Sequence, residues 1–148
     1  MGNKYTQELL AEIPQASLHQ MEEAIKGAQK GFQEMKAWSA GTRSEKLYQL
    51  KSFLAEKEED FAQLISVEAG KPISYARGEM KRCLTTLELA AAEALRFSGE
   101  AVPIDFAAGE GRTALTRRFP IGPIAAISPF NFPLNLALHK LAPALAVG

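Results

Sequence analysis

Pro120-Ile121-Gly122-Pro123-Ile124-Ala125-Ala126-Ile127-Ser128-Pro129-Phe130-Asn131-Phe132-Pro133-Leu134 is the stretch on which the reading of this chain turns. Ile124–Ile127 is short and wholly apolar, the pattern of a strand buried inside a parallel sheet. Ser128–Phe132 supplies turn residues, and Pro133 suits the first position of a helix, where its missing N–H costs nothing. A final helix is therefore expected from Leu134 to Val147. The carboxyl end of a buried strand, facing the amino end of a helix, is where α/β proteins bind ligands, because backbone N–H groups and the helix dipole favour anions and polarised oxygens. Asn131 is the notable side chain there. Its amide either caps the helix or donates to a developing oxyanion without changing charge.

Around that stretch the charges thin out. The chain has 148 residues, 47% hydrophobic and 23% charged, with 17 basic and 17 acidic side chains that sum to zero. After Arg118 the only charged residue is Lys140. Five of the eight prolines fall in the same region, a spacing foreign to a spanning helix, so it reads as protein core and not as membrane. The neutral balance argues against a nucleic-acid binder, and the hydrophobic content against a disordered tail. Cys83 has no partner for a disulfide or a cysteine-based zinc site, and His19 and His139 lie far apart, so no metal site is expected. No secretory signal follows Met1, and a reducing, cytoplasmic setting is expected. Neither GxGxxG nor GxxxxGK[ST] occurs, so no standard phosphate loop is present.

Upstream the pattern is helical. Leu18, Met21, Ile25, Ala28, Phe32 and Met35 recur at steps of three and four, predicting an amphipathic helix over Ser17–Met35 that opens on a Ser17/Gln20 capping box. Thr42 with Glu45 predicts a second such start after a break at Trp38–Gly41, with Leu47, Leu50 and Leu54 inward. A third helix brings Phe61, Leu64 and Ile65 inward and stops at Gly70, ahead of Pro72. Glu56, Glu58, Glu59 and Asp60 read as a solvated junction favouring that helix's amino terminus. A fourth helix is expected from about Ser74 to Ser98, with Gly99 as its stop and Met80, Leu84, Leu87, Ala91 and Ala94 on one face. Cys83 falls mid-helix and reads as a buried structural residue and not a nucleophile. Ala101–Phe106 and Thr113–Phe119 alternate and predict two strands of a long ribbon, with Arg117 and Arg118 on opposite faces.

The 120–134 string, followed by His139-Lys140-Leu141-Ala142-Pro143-Ala144-Leu145-Ala146, closely resembles the NAD(P)-dependent aldehyde dehydrogenase superfamily. Glu68-Ala69-Gly70-Lys71-Pro72 is similar to that family's helix-end signature, Trp38–Arg43 to its early turn, and Ser98-Gly99-Glu100 to its junction between helix and ribbon. The resemblance runs from about Ser17 to Gly148. It implies an α/β fold: an amino-terminal helical part of the cofactor-binding domain over 1–100, an oligomerisation-type ribbon over 101–119, and the first strand-helix unit of a Rossmann-like sheet over 120–148, where the chain is truncated.

The same resemblance implies the roles. Ile127, Ser128, Pro129, Phe130 and Asn131 match the stretch along the nicotinamide half of NAD or NADP. Asn131 matches the oxyanion donor, Phe132, Leu136 and His139 match the lining of the aldehyde channel, and Lys140 matches a lysine assigned to a proton path. The expected reaction is oxidation of an aldehyde to a carboxylate through a cysteine thioester, in a homo-oligomer joined through the ribbon. Family members are several-fold longer and place the nucleophilic cysteine, the glutamate base and the cofactor phosphate loop beyond Gly148. The 148 residues alone are therefore expected to be inactive and to bind the cofactor weakly or not at all. Two other readings stay open on the residues: a non-catalytic association module, and part of a CoA-acylating or acyl-phosphate-reducing relative.

Overall fold

The computed structural model describes residues 1–148. In chain order the helices are α1 (Leu18–Met35), α2 (Ala40–Glu56), α3 (Glu58–Ala69), α4 (Ile73–Ala94) and α5 (Pro133–Val147). A two-stranded antiparallel sheet, β1 (Ala101–Val102) and β2 (Ala114–Leu115), lies between α4 and α5 in the sequence.

The helix starts follow local chemistry. Ser17 opens α1 with both halves of a capping box: its hydroxyl accepts the Gln20 N–H at 3.2 Å, and the Gln20 side chain accepts the Ser17 N–H at 2.8 Å. α2 begins earlier than the Thr42/Glu45 pattern predicts. Ser39 is extended and its hydroxyl accepts the Thr42 N–H at 3.0 Å, so Ser39 is the cap and Thr42 lies inside the first turn. α3 has no side-chain cap and instead carries Glu58, Glu59 and Asp60 in its first turn, where the dipole favours negative charge. It ends at Gly70, whose φ of 66° is left-handed, as the sequence predicts.

α4 stops at Ala94, short of the expected Ser98. Gly99 has a different task from ending a helix. A Cβ there would lie 1.6 Å from the Thr116 carbonyl oxygen, so only glycine lets the chain pass this close to the ribbon. The ribbon itself is far shorter than predicted, pairing only Ala101 with Leu115 and Val102 with Ala114. Pro103 follows at once and has no N–H to extend the ladder. Ile124–Ile127 is part of no strand, because a strand is defined by a neighbour and this chain offers none beside it.

α4 is the central element, packed by α2, α3 and α5. Its buried face holds Ala76, Glu79, Met80, Cys83, Leu87 and Ala91, and the core closes around it with Leu47, Leu54, Ile65 and Leu138. Leu84 is half-buried against that core, while Leu64 is 47% exposed and lies outside it. The apolar stripe of α1 buries nothing fully: Leu18, Met21 and Ile25 are exposed, and Phe32 and Met35, half-buried, line a cavity shared with Pro123, Ile124 and Leu141. An amphipathic pattern states that a face needs a partner and does not supply one.

Leu87→Ala, inside this core, is expected to lower unfolding free energy by about 2–5 kcal/mol, whereas Leu64→Ala should cost about 1 kcal/mol or less. Urea unfolding of the two variants, with an unchanged m value, measures the contrast.

Candidate functional site

α5 begins in an unusual way for a helix whose first turn approaches a proposed site. Its cap position is Phe132, which supplies no side-chain hydrogen bond, and Pro133 has no N–H to satisfy. The next two N–H groups, of Leu134 and Asn135, each donate to Oε1 of Glu79 at 3.1 Å. Leu136 N–H then makes the first helical bond, to the Phe132 carbonyl. Every orphan donor at this terminus is thus accounted for, and the acceptor comes from the middle of α4. Asn131 is not the cap, and its side chain is left exposed.

Glu79 has no solvent exposure at its side chain. A buried carboxylate requires compensation, and beyond the two amides it takes a charge-assisted bond at 2.8 Å from Lys71 Nζ to Oε2. The same Nζ donates to the backbone carbonyl of Asn131 at 2.8 Å and stands 4.5 Å from the centre of the Phe132 ring. Arg82 lies 4.9 Å from that ring. The ammonium thus meets a carboxylate, a carbonyl and an aromatic face, all around the turn that carries Asn131.

The far end of α5 is held by the opposite charge. Arg43 Nε donates to the Ala146 carbonyl at 2.9 Å and its Nη1 to the Trp38 carbonyl at 2.7 Å. A carboxylate at the amino terminus and a guanidinium at the carboxyl terminus both match the helix dipole.

The comparisons with known proteins identify the family. The aldehyde dehydrogenase family model matches residues 1–148. The chain belongs to the aldehyde dehydrogenase family. It is 43% identical over 147 residues to a 3-sulfolactaldehyde dehydrogenase of Priestia megaterium, covering 99% of this chain and 30% of that protein. A lactaldehyde dehydrogenase of Methanocaldococcus jannaschii is 40% identical over 146 residues, with the same shares covered. Among solved structures, aldehyde dehydrogenase 21 of Physcomitrella patens, in complex with succinate, superposes with a TM-score of 0.93 at 41% identity, over 99% of this chain and 31% of that one. The NADP-dependent glyceraldehyde-3-phosphate dehydrogenase of Bacillus halodurans, complexed with NADP, gives 0.93 at 36% identity, over 100% and 32%. The chain therefore spans about 30% of the length of the relatives it matches and has their fold over that part.

Within this family member the sequence-predicted residues divide. Ile127 through Asn131 form one exposed run that turns at Phe130 and Asn131 into α5, and Phe132, Leu136 and His139 follow at helical spacing along it. Phe132 and Leu136 are half-buried and His139 is exposed. Lys140 stands apart: its Nζ turns back to the Leu136 carbonyl at 3.1 Å, and it borders a different cavity with Phe97, Ile121 and Pro143. Arg117 and Arg118, expected on opposite faces, both line one cavity of about 620 Å³ with Trp38 and Phe119. Each stacks on a ring, Arg117 on Phe119 and Arg118 on Phe97, which draws both to the same side. The pairing of Lys71 with Glu79 escaped the sequence reading, although Glu79 interrupts an otherwise apolar stripe between Ala76 and Met80.

Ile127 and Phe130, 85% and 91% exposed, offer apolar surface to a flat ring. The amides at the start of α5 cannot receive a phosphate, because Glu79 already holds them. The start of α5 therefore offers no free amide pair to an anion, and the apolar surface of Ile127 and Phe130 is what the run before it presents to a ligand. No group of three or more His, Cys, Asp or Glu is placed to hold a metal ion, and no helix is long and apolar enough to cross a membrane.

Cys83 is fully buried in α4, and burial, reinforced by the nearby Glu79 charge, pushes its thiol up to about 12. Because the folded state holds this proton more tightly than the unfolded chain, the stabilisation is complete below about pH 9 and is lost as pH rises from there toward 12. Cys83 should resist alkylation by iodoacetamide at about pH 8 in the native protein and react fully once denatured, as followed by intact mass.

Proposed function

We propose that this chain contributes the oxyanion-holding turn to the NAD(P)-dependent oxidation of an aldehyde to a carboxylate. The observation that carries the reading is the Asn131 side chain, exposed and released from capping because Glu79 has taken that task. In the reaction of this family, a thiolate adds to the aldehyde carbon and the carbonyl oxygen gains negative charge. An amide N–H aimed at that oxygen stabilises the adduct more than the ground-state carbonyl, which is how a neutral donor lowers a barrier. Bound NAD(P) supplies the hydride acceptor. With that acceptor the adduct would pass to a thioester, which water would release as the acid.

Other residues of the chain have supporting parts in this proposal. Ile127–Phe130 meet the nicotinamide side of the cofactor, and Phe132, Leu136 and His139 form one wall of the aldehyde channel. Lys140 is assigned to a proton path by resemblance alone, and its ammonium donates to the Leu136 carbonyl. The ribbon over 101–119 is assigned to contacts between subunits, with Leu115 and Phe119 exposed on it. Cys83 is not the nucleophile, since a thiol without solvent access and pushed up to about 12 provides no thiolate near neutral pH.

Two measurements test this. The 148-residue chain alone, mixed with an aldehyde and NAD(P), should produce no NAD(P)H absorbance; turnover abolished by Cys83→Ala would overturn the account. In a family-length enzyme carrying residues 1–148, Asn131→Ala should lower kcat by about 10²–10³-fold while leaving cofactor affinity nearly unchanged. Cys83→Ala in the same enzyme should retain activity.

A further inference from the structure

We propose that Lys71 and Glu79 are positioning residues for the oxyanion donor: a buried ion pair that fixes the Asn131 turn from both sides. This inference rests on the oxyanion role proposed above for Asn131, and it adds how that side chain is held.

The geometry begins with the placement of charge. Glu79 lies on the inward face of α4 among Ala76, Met80 and Cys83, where an ionised carboxylate is costly unless lone pairs on both oxygens are used. They are used by three donors, none of them on α4: Leu134 N–H, Asn135 N–H and Lys71 Nζ. Lys71 sits just beyond the end of α3, and its side chain is only 15% exposed. Its Nζ continues the chain of bonds to the Asn131 carbonyl. Asn131 is therefore bracketed. On one side its own carbonyl is held by Lys71, and three residues on the backbone is held by Glu79, with Lys71 and Glu79 bonded to each other. A rigid arrangement of this kind is what a donor needs if it is to meet an oxyanion without reorganising, since misplacement by about 1 Å can cost about 10²-fold in rate.

Charge balance points the same way. A carboxylate near a site where negative charge develops would oppose that charge, and the Lys71 ammonium with the α5 dipole offsets it. The pair thus orients Asn131 and removes the electrostatic penalty of the carboxylate that does the orienting. Because Lys71 acts through Asn131, its effect should depend on Asn131 being present. A contribution to folding alone would not have that dependence.

The test is a double-mutant cycle in a family-length enzyme carrying residues 1–148, read by steady-state kinetics with one aldehyde and saturating NAD(P). Lys71→Met should lower kcat by about 10–10²-fold with little change in KM, the signature of an interaction expressed in the transition state. Lys71→Arg, which keeps the charge and the donors, should recover part of the loss. In the Asn131→Ala background Lys71→Met should change kcat by less than about threefold, because the group it positions is gone. Should Lys71→Met reduce kcat by the same factor with and without Asn131, the positioning role is overturned and the oxyanion role stands. Should Asn131→Ala itself leave kcat unchanged, the oxyanion reading fails first, and the inference fails with it. Glu79→Gln is the second variant: it keeps an acceptor for the two amides but loses the acceptor for Lys71, and it should follow Lys71→Met in size and in dependence on Asn131.

Discussion

A single carboxylate in the interior of this chain connects parts of the sequence that lie more than fifty residues apart. Glu79 is bonded to the start of α5 and to Lys71 at the end of α3, and Lys71 is bonded to the turn before α5. Removing either charge would strand the other in a site with little water, so the two side chains and the segments they touch are interdependent. With Arg43 at the opposite end, α5 is held at each terminus by a charge matched to its dipole. Packing of Leu138, Ala142 and Ala146 against α4 sets where the helix lies. The polar contacts at its ends set its register and the direction of the chain that enters it.

This explains why the Asn131 turn can be exposed and still be defined. Ile127 and Phe130 have almost no burial, and Asn131 makes no side-chain hydrogen bond that would hold it. The order of the turn is supplied from beneath, through backbone atoms, leaving the side chains available. A site built this way separates two demands that conflict in one residue: to be fixed by the protein, and to keep a donor unsatisfied for the ligand.

Much of this was readable in the residues where the cause is local. The Ser17/Gln20 box, the left-handed Gly70 and Pro133 at the head of α5 each depend on chemistry within four positions, and each is where the pattern places it. Asn131 stood out for the same reason, since turn, proline and amide are adjacent. What was not readable depends on distant partners. The capping alternative for Asn131 is decided by a glutamate 52 positions upstream in the sequence, as the numbering shows. The stripe on α1 and the apolar run at Ile124–Ile127 carry the pattern of buried elements, yet burial is a property of pairs, and within this chain their faces meet little. Glu79 did leave a trace, as a charge set in the apolar stripe of α4. An inward-facing charge on an amphipathic helix is a request for a partner, and Lys71, eight residues earlier beside a helix end, was within reach of it.

The central claim is that the Glu79 carboxylate holds the first turn of α5, and amide hydrogen exchange at Leu134 and Asn135 tests it most directly. With Glu79 replaced by alanine, these two amides should exchange at least about tenfold faster, while amides of α2, such as that of Leu54, change much less. Equal acceleration at Leu134, Asn135 and Leu54, or none at all, would contradict the account.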